Sequence, residues 1–125
     1  LLAVLEKRVH LPLGTCDVYV KAAGGIRIDE PAADLGLCVA MASSFAGRRP
    51  REKSIVFGEV GLSGEVRAVS QAELRVKEAA RLGFQTAILP EKNARQLKNS
   101  VAEIELLSAA TVGEALKLAM PRQER

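Results

Sequence analysis

The sequence predicts an α/β domain in which helices and a sheet pack as an α+β sandwich. Strand patterns and helix patterns alternate along the chain, which is typical of mixed folds. Apolar residues make up 48% of the 125 residues, enough for a packed core. Aromatic residues make up only 3%, so the core is predicted to consist of aliphatic side chains and alanine. A chain of this length fits one domain.

The first part of the chain contains two predicted strands between two helices. Leucine and valine recur at helical spacing over residues 1–9, which predicts the end of a helix. Alternating polarity predicts a strand over 16–22 and, after a glycine turn, a short strand over 26–28. Acidic residues and Pro31 are typical of a first helical turn. The apolar residues that follow predict a central, buried helix that ends near Gly47.

The middle of the chain is predicted to form a basic loop, a hairpin and a helix. The loop covers 48–53, and the hairpin joins a strand at 54–60 to its partner at 65–69 across a glycine-containing turn. Ser70 is a predicted N-cap for a helix over 71–82, because a serine hydroxyl can accept a hydrogen bond from a free amide of the first turn.

Predicted strands and helices also alternate in the last part of the chain. A buried strand at 86–89, a helical turn at 93–97, a strand at 103–107 and a helix at 112–120 are predicted in that order. Pro121 begins a polar tail, so the predicted domain covers 1–121 and the tail 122–125. The chain opens with leucine inside an apolar pattern, which we interpret as a domain cut from a longer protein.

Several classes of site are disfavoured by the residue inventory. Cys16 and Cys38 are 22 residues apart without a CxxC pair, whereas a zinc site needs about four ligands, so two buried thiols are predicted. His10 is the single histidine, and no phosphate-binding P-loop occurs. We therefore expect no metal or cofactor in this domain. Apolar runs fall short of the roughly 18 residues of a membrane helix, and no leader is recognised, which predicts a cytoplasmic protein without a membrane partner.

Two carboxylates flank the predicted hairpin. Glu59 and Glu65 could face each other as an acid/base pair, although charged hairpin flanks are more typically solvated. The net charge of +3 permits a nucleic-acid partner without requiring one.

Three motifs are more specific than the composition. Residues 57–66 are FGEVGLSGEV, residues 78–84 are EAARLGF, and residues 87–93 are AILPEKN. This hairpin, helix and strand-turn series resembles the proteolytic domain of Lon proteases, and the resemblance extends from about residue 17 to about residue 118. It implies a Lon-protease-like fold of the ribosomal protein S5 domain 2-like type.

The resemblance also implies where catalytic residues should lie. Lon proteases use a serine–lysine dyad, and here Ala32 occupies the place of the serine and Glu73 that of the lysine. Alanine has no nucleophilic atom, and glutamate cannot act as the neutral amine that deprotonates a serine. Lys77 is expected to form an ion pair with Glu73 across one helical turn. The remaining candidate nucleophiles are Ser43, Ser44 and Ser63.

Among Lon-like domains, the chain resembles the C-terminal domain of the RadA (Sms) family of bacterial RecA-like DNA-repair and recombination ATPases. The shared segments are VYV at 18–20 followed by the glycines at 24–25, AADL at 32–35, and VFGEVGL at 56–62. This resemblance implies a DNA-binding scaffold that forms hexamers. It also implies a longer chain with an ATPase core that binds ATP and Mg, and a zinc finger.

The leading hypothesis is therefore a proteolytically inactive domain that binds DNA phosphates and supports ring assembly. Arginine suits phosphate because its planar fork donates two parallel hydrogen bonds, and a ring would sum the field of its copies. Any single basic side chain is equally typical of a solvated surface. The alternatives are a pure oligomerisation or protein-interaction module and a cryptic peptidase. The candidate DNA-binding residues are Arg27, Arg48, Arg49, Arg51, Lys53, Arg67, Arg75, Lys77 and Arg81.

Overall fold

A computed structural model describes residues 31–98, 101 and 103–121. The predicted first helix, the strands at 16–22 and 26–28, Cys16, His10, Arg27 and the tail at 122–125 lie outside these residues. The described elements, in chain order, are a turn of 3-10 helix at Pro31–Ala33, α1 (Asp34–Ala46), β1 (Ser54–Val56), β2 (Glu59–Val60), β3 (Val66–Arg67), α2 (Ala72–Arg81), β4 (Thr86–Pro90), α3 (Glu91–Leu97), β5 (Glu105–Ala109) and α4 (Val112–Ala119).

Five described strands form two sheets. The larger sheet is parallel, with the order β1-β4-β5, and Ile88 of β4 lies between Val56 and Leu107 of its neighbours. The smaller sheet is the antiparallel hairpin β2-β3, in which Glu59 is opposite Arg67. Helices and a parallel sheet together confirm the α/β class.

Helices cover both faces of the larger sheet, because adjacent side chains of β4 point to opposite sides. Ile88 is buried with α1 and α4, in a cluster that includes Leu35, Met41 and Val112. Leu89 is buried with Val76 of α2 in a second cluster. Such burial stabilises a fold by about 1.5–3 kcal/mol for each large aliphatic side chain. Parallel sheets are typically covered in this way, and the continuous apolar run of β4 is the expected sequence pattern.

The single strand predicted at 54–60 is interrupted at residues 57–58 and contributes to both sheets. Gly58 has a φ of +155°, and a Cβ at this position would lie 3.0 Å from Cγ1 of Val66 and 3.2 Å from Cγ of Pro90. Its amide donates a hydrogen bond to the carbonyl of Ala32, and its carbonyl accepts one from the amide of Leu35, both at 2.9 Å. The junction between the sheets therefore also holds the beginning of α1.

Most other differences from the predictions concern element ends. The predicted N-cap at Ser70 is wrong: Gln71 precedes α2 with a left-handed φ of 58° and no side-chain cap. Strand β5 begins two residues later than predicted, at Glu105 instead of residue 103. Helix α4 is capped by Thr111, whose hydroxyl accepts a hydrogen bond from the amide of Glu114 at 3.1 Å. That cap was not predicted.

The prediction of a central buried helix holds for the first turns of α1. Leu35 and Cys38 are fully buried, which agrees with the predicted buried thiol at Cys38. Phe45 near the end of the helix is exposed, so the helix leaves the core there. The predicted end is confirmed, since Gly47 adopts a left-handed φ of 65° as the C-cap.

Candidate functional site

Ala32, which the resemblance places at the position of the catalytic serine, lies at the wall of a small cavity. Ala32 belongs to the 3-10 turn and is only 4% exposed. It lines a cavity of about 190 Å³ together with Glu59, Ser70 and Arg75. The guanidinium of Arg75 donates from Nε to the carbonyl of Ser70 at 3.2 Å. An arginine remains protonated in proteins, so it cannot act as the base for a nearby hydroxyl.

Glu73, which the resemblance places at the position of the catalytic lysine, lies at a different cavity. Glu73 is exposed on the outer face of α2 and lines a separate groove of about 330 Å³ with Gln71, Leu74 and Lys77. Its Oε1 is 2.7 Å from Nζ of Lys77, which confirms the predicted ion pair across one helical turn. Ala32 and Glu73 thus contribute to different cavities.

The three candidate serines have no basic partner among the described residues. Ser43 donates its hydroxyl hydrogen bond to the carbonyl of Arg48. Ser44 is exposed near the end of α1, and Ser63 is exposed in the hairpin turn, where its amide donates to Oε1 of Glu65 at 3.0 Å. A serine nucleophile needs an adjacent base, and no lysine or histidine contacts these hydroxyls in the described part of the chain.

The basic loop at 48–53 is attached to the C-terminal end of α4. Arg48 donates from Nη2 to the carbonyls of Met120, at 3.0 Å, and Pro121, at 2.8 Å. Arg51 donates from Nε to the carbonyl of Leu118 at 3.1 Å. Carbonyls at a helix C-terminus carry partial negative charge, so cations are favourable there. These bonds hold the loop without cancelling the formal charge of either arginine.

The same loop carries two cations without a polar partner. The side chains of Arg49 and Lys53 are exposed and make no hydrogen bond or ion pair with any described residue. Glu52 is the only carboxylate in this six-residue segment, which has four cations. Lys117 of α4 lines a cleft of about 600 Å³ beside Arg48 and adds a further cation to this end of the molecule.

Arg67, the candidate cation of the hairpin, is paired with two carboxylates. Nη2 of Arg67 is 3.1 Å from Oε2 of Glu65, and its Nη1 is 4.0 Å from Oε1 of Glu59. The pKa of Glu65 is lowered, first by a hydrogen bond with its own backbone amide and then by Arg67. A lowered pKa keeps Glu65 ionised at neutral pH, which does not suit a general acid. Glu59 and Glu65 share an arginine instead of facing each other as an acid/base pair.

Helix α2 repeats this pairing. Arg81 donates from Nε to Oε2 of Glu78 at 3.0 Å, and the hydrogen bond lowers the pKa of Glu78 and raises that of Arg81. Lys77 is paired with Glu73, as described above. Each of these cations has a carboxylate partner that offsets its charge locally.

The structure therefore separates the predicted DNA-binding residues into two groups. Arg48, Arg49, Arg51 and Lys53 lie together on one loop, whereas Arg67, Arg75, Lys77 and Arg81 lie on the hairpin and α2. Sequence reasoning did not identify Lys117, because its position beside Arg48 depends on the packing of α4 against the loop. They are 69 residues apart, so the sequence gives no local signal that both line this cleft.

No cluster of three or more His, Cys, Asp or Glu side chains in the described part of the chain is arranged to hold a metal ion.

Within the described ranges, no helix is both long and apolar enough to span a lipid bilayer.

Comparison with known proteins identifies relatives along nearly the whole chain. The family described as the Lon protease (S16) C-terminal proteolytic domain matches residues 8–122. The DNA repair protein RadA of Halalkalibacterium halodurans is 48% identical over 122 residues, which cover 98% of this chain and 26% of that protein. The corresponding protein of Listeria monocytogenes is 46% identical over 97% of the chain and 26% of its own length. That of Synechocystis sp. is 44% identical over 98% and 24%. The chain spans about a quarter of the length of these relatives.

Proposed function

The chain belongs to the Lon protease (S16) C-terminal proteolytic domain family, and we propose that it acts in DNA repair as a non-proteolytic member of that family. In this proposal it binds DNA phosphates through the loop at 48–53 and supports assembly of a hexameric ring. Its similarity to proteins named DNA repair protein RadA supports the role in repair. The proposal includes a longer cytoplasmic protein in which a RecA-like core binds ATP and Mg and a zinc finger precedes it.

The absence of proteolysis is inferred from the dyad positions. Ala32 supplies no nucleophile, and the cation that shares its cavity is Arg75, which holds its proton. Glu73 lies at a different cavity and is paired with Lys77. A serine–lysine dyad requires both side chains in one water-poor pocket, where desolvation lowers the pKa of the lysine. Neither the residues nor their placement meets this requirement.

A peptidase assay tests this part of the proposal. The purified protein is expected to hydrolyse neither casein nor a fluorogenic peptide and to leave a covalent serine probe unreacted. The double change Ala32→Ser and Glu73→Lys should restore little activity, because the two positions line separate cavities. Turnover by the unmodified protein that disappears in Ser63→Ala or Ser44→Ala would refute the proposal.

DNA binding rests on one observation, the unneutralised charge of the loop at 48–53. Four cations face one carboxylate in the segment, and the polar partners of Arg48 and Arg51 are backbone carbonyls. Arg49 and Lys53 have no polar partner among the described residues. Phosphate contacts of this kind release counterions from DNA and carry no sequence information. We therefore expect weak binding that is independent of sequence.

The salt dependence of binding tests the electrostatic mechanism. The logarithm of the affinity should fall linearly with the logarithm of the salt concentration, with a slope of about −0.7 to −0.9 for each phosphate neutralised. Duplexes of unrelated sequence should bind equally well. Strong dependence on sequence, or affinity insensitive to salt, would contradict phosphate binding.

A second candidate function is a protein-interaction module without direct DNA contact. The observation in its favour is that Arg67, Lys77 and Arg81 are each paired with a carboxylate, so the hairpin and α2 offer little free positive charge. Deleting the whole domain from the intact protein separates the two candidates. Unchanged DNA binding after deletion would favour the interaction module, and lost binding would favour DNA contact.

Ring assembly is tested separately by light scattering of the intact protein with and without nucleotide. A hexamer is expected. A monomer under both conditions would refute the assembly part of the proposal. It would not affect the proposals on peptidase activity and DNA binding, which have separate tests.

A further inference from the structure

The third sequence motif, AILPEKN at 87–93, ends in a buried polar side chain. Asn93 belongs to the first turn of α3, directly after β4, and is only 2% exposed. A buried amide is unfavourable unless its donors and its acceptor are hydrogen-bonded. The partners of Asn93 therefore indicate its role in the fold.

Both ends of the Asn93 side-chain amide are bonded to the backbone of Val69. Oδ1 accepts from the amide of Val69 at 2.9 Å, and Nδ2 donates to the carbonyl of Val69 at 3.1 Å. Nδ2 also donates to Oε1 of Gln96 in a longer contact of 3.4 Å. An aspartate of the same size has no donor when it is ionised, and a leucine has neither group. The asparagine thus pairs with Val69 as a neighbouring strand would.

Val69 lies in a connecting segment that has no regular structure of its own. Strand β3 ends at Arg67, and α2 begins at Ala72. Gln71 has a left-handed φ of 58°, which is unfavourable for a residue with a Cβ, and its side chain makes no capping hydrogen bond. Contacts with other elements therefore have to hold the segment 68–71 in this shape.

The same segment forms one wall of the cavity at Ala32. Residues 68–70 line this cavity of about 190 Å³, and Ala32 lies at its wall with only 4% of its surface exposed. The carbonyl of Ala32 accepts from the amide of Gly58, at the junction of the two sheets. The two sides of the cavity are thus fixed by different residues, Ala32 by Gly58 and Val69 by Asn93.

We propose that Asn93 is the positioning residue of this cavity. It acts through Val69, whose two backbone hydrogen bonds with Asn93 keep the wall at 68–70 closed beside Ala32. Loss of Asn93 should release this wall and expose residue 32 while the sheet and α1 stay folded, because the described partners of its side chain are Val69 and Gln96. This role is independent of DNA binding and of ring assembly.

Thiol labelling measures whether residue 32 becomes exposed separately from the core. Ala32→Cys introduces a thiol at the cavity, and Cys38, which is fully buried in the cluster around Ile88, reports unfolding of the core. The intact protein is treated with fluorescein maleimide, which is too bulky for the cavity, and fragment mass spectrometry distinguishes the labels at residues 32 and 38. Each thiol then reacts when its surroundings open, so its rate measures the population of the open form.

The first variant to add is Asn93→Leu, which keeps the size of the side chain and removes both hydrogen bonds to Val69. We expect labelling at residue 32 to accelerate roughly tenfold to a hundredfold, because two partly buried backbone groups lose their partners. Gln96→Ala is the matched control. It removes the longer contact of Asn93 and keeps both bonds to Val69, so the rate at residue 32 should stay unchanged.

A second variant, Val112→Ala, separates local opening from unfolding. Val112 is 1% exposed in the cluster around Ile88, and truncating it should lower the stability of the whole core. We expect faster labelling at residue 38 and an unchanged rate at residue 32, because the local opening leaves that cluster packed. Equal acceleration at both residues would overturn the proposal, since residue 32 would then become exposed only when the domain unfolds.

The dependence of labelling on urea gives a further measure that needs no change at Asn93. Sensitivity to denaturant increases with the surface that an opening exposes. The rate at residue 32 should therefore rise less steeply with urea than the rate at residue 38. Equal slopes, or a rate at residue 32 that Asn93→Leu leaves unchanged, would show that Asn93 does not hold the cavity wall.

Discussion

The basic side chains of the 48–53 loop and those of the hairpin and α2 are held by different kinds of partner. Arg48 and Arg51 donate to carbonyls at the end of α4, whereas Arg67 and Arg81 donate to carboxylates. A carbonyl accepts a hydrogen bond from an arginine but leaves its unit charge in place. A carboxylate accepts the hydrogen bond and also offsets the charge. The local field therefore depends on the partner as well as on the number of arginines. The formal charge of +3 does not reveal where a polyanion would be attracted.

The largest effect expected from this difference concerns DNA binding. Replacing Arg48, Arg49 and Arg51 together with alanine removes three charges that form no ion pair with a carboxylate of the described residues. We expect the salt slope to decrease in magnitude by about 2 to 3, and the affinity at low salt to fall by roughly tenfold to a hundredfold. Fluorescence anisotropy of a labelled duplex across a salt series measures both quantities.

A matched triple variant serves as the control. Replacing Arg67, Lys77 and Arg81 with alanine removes the same formal charge from positions that are paired with glutamates. We expect the affinity for DNA to change by less than about threefold, because salt screens the field of the altered charges beyond about 10 Å. Light scattering should first confirm that both variants have the same assembly state. Equal losses of affinity in the two variants would show that ion pairing with glutamates does not make the hairpin and α2 differ from the 48–53 loop in DNA binding.

A smaller effect is expected on stability, where the loop again differs from α2. Arg51→Ala removes a charge-assisted hydrogen bond to Leu118 and a cation near the C-terminus of α4. We expect a loss of about 1–2 kcal/mol in the free energy of unfolding, measured by denaturant titration of this chain. Arg51→Lys should recover part of it, since the charge remains near the helix end. An unchanged denaturation midpoint in Arg51→Ala would show that the hydrogen bond to Leu118 does not stabilise the fold.

The corresponding change in α2 should have almost no effect on stability. Arg81 and Glu78 are both largely exposed, and ion pairs of this kind contribute little in water. We expect Arg81→Ala to unfold at the same denaturant concentration as the unmodified chain within experimental error. A loss as large as that of Arg51→Ala would remove the distinction between the two regions.

The smallest effect expected is a dependence of stability on acid pH. The hydrogen bond from Arg81 lowers the pKa of Glu78 in the folded state. A carboxyl group with a lower pKa when folded stabilises the fold above its ordinary pKa, about 4.3, and loses that contribution as the pH falls through the folded value. Below about pH 4.3, Glu78→Gln should therefore lose slightly less stability than the unmodified chain. Denaturation midpoints at a series of pH values measure this difference, and parallel curves would contradict it.

The features that sequence reasoning identified are those with local causes. A 3-10 turn begins at Pro31, and α1 follows it at Asp34 and is capped by Gly47. The ion pair between Glu73 and Lys77 follows from helical spacing. The apolar run of β4 marks a strand buried on both faces. In each case the residues that determine the structure are neighbours along the chain.

The features that it missed depend on distant parts of the chain. The interruption at Gly58 lies where Val66 of the smaller sheet and Pro90 of the larger sheet pack too closely to leave room for a Cβ. The partner of Arg51 at Leu118 is 67 residues away, so no spacing pattern reveals that the loop binds α4. The later start of β5 is set by its pairing with β4, where Glu105 lies beside Thr86. The partners of Arg48 at Met120 and Pro121 were hidden for the same reason.

The hydrogen bonds between Gly58 and the start of α1 should break together when the domain opens locally. The amides of Gly58 and Leu35 both donate across the same junction, each at 2.9 Å. Neither proton can exchange with solvent until strand and helix separate, so both amides should report a single, slow opening. Ala32, which the resemblance places at the position of the serine in Lon proteases, takes part in this junction through its backbone carbonyl. The hydrogen bond uses the carbonyl of Ala32 and not its side chain, so the local order of this position does not depend on a catalytic group.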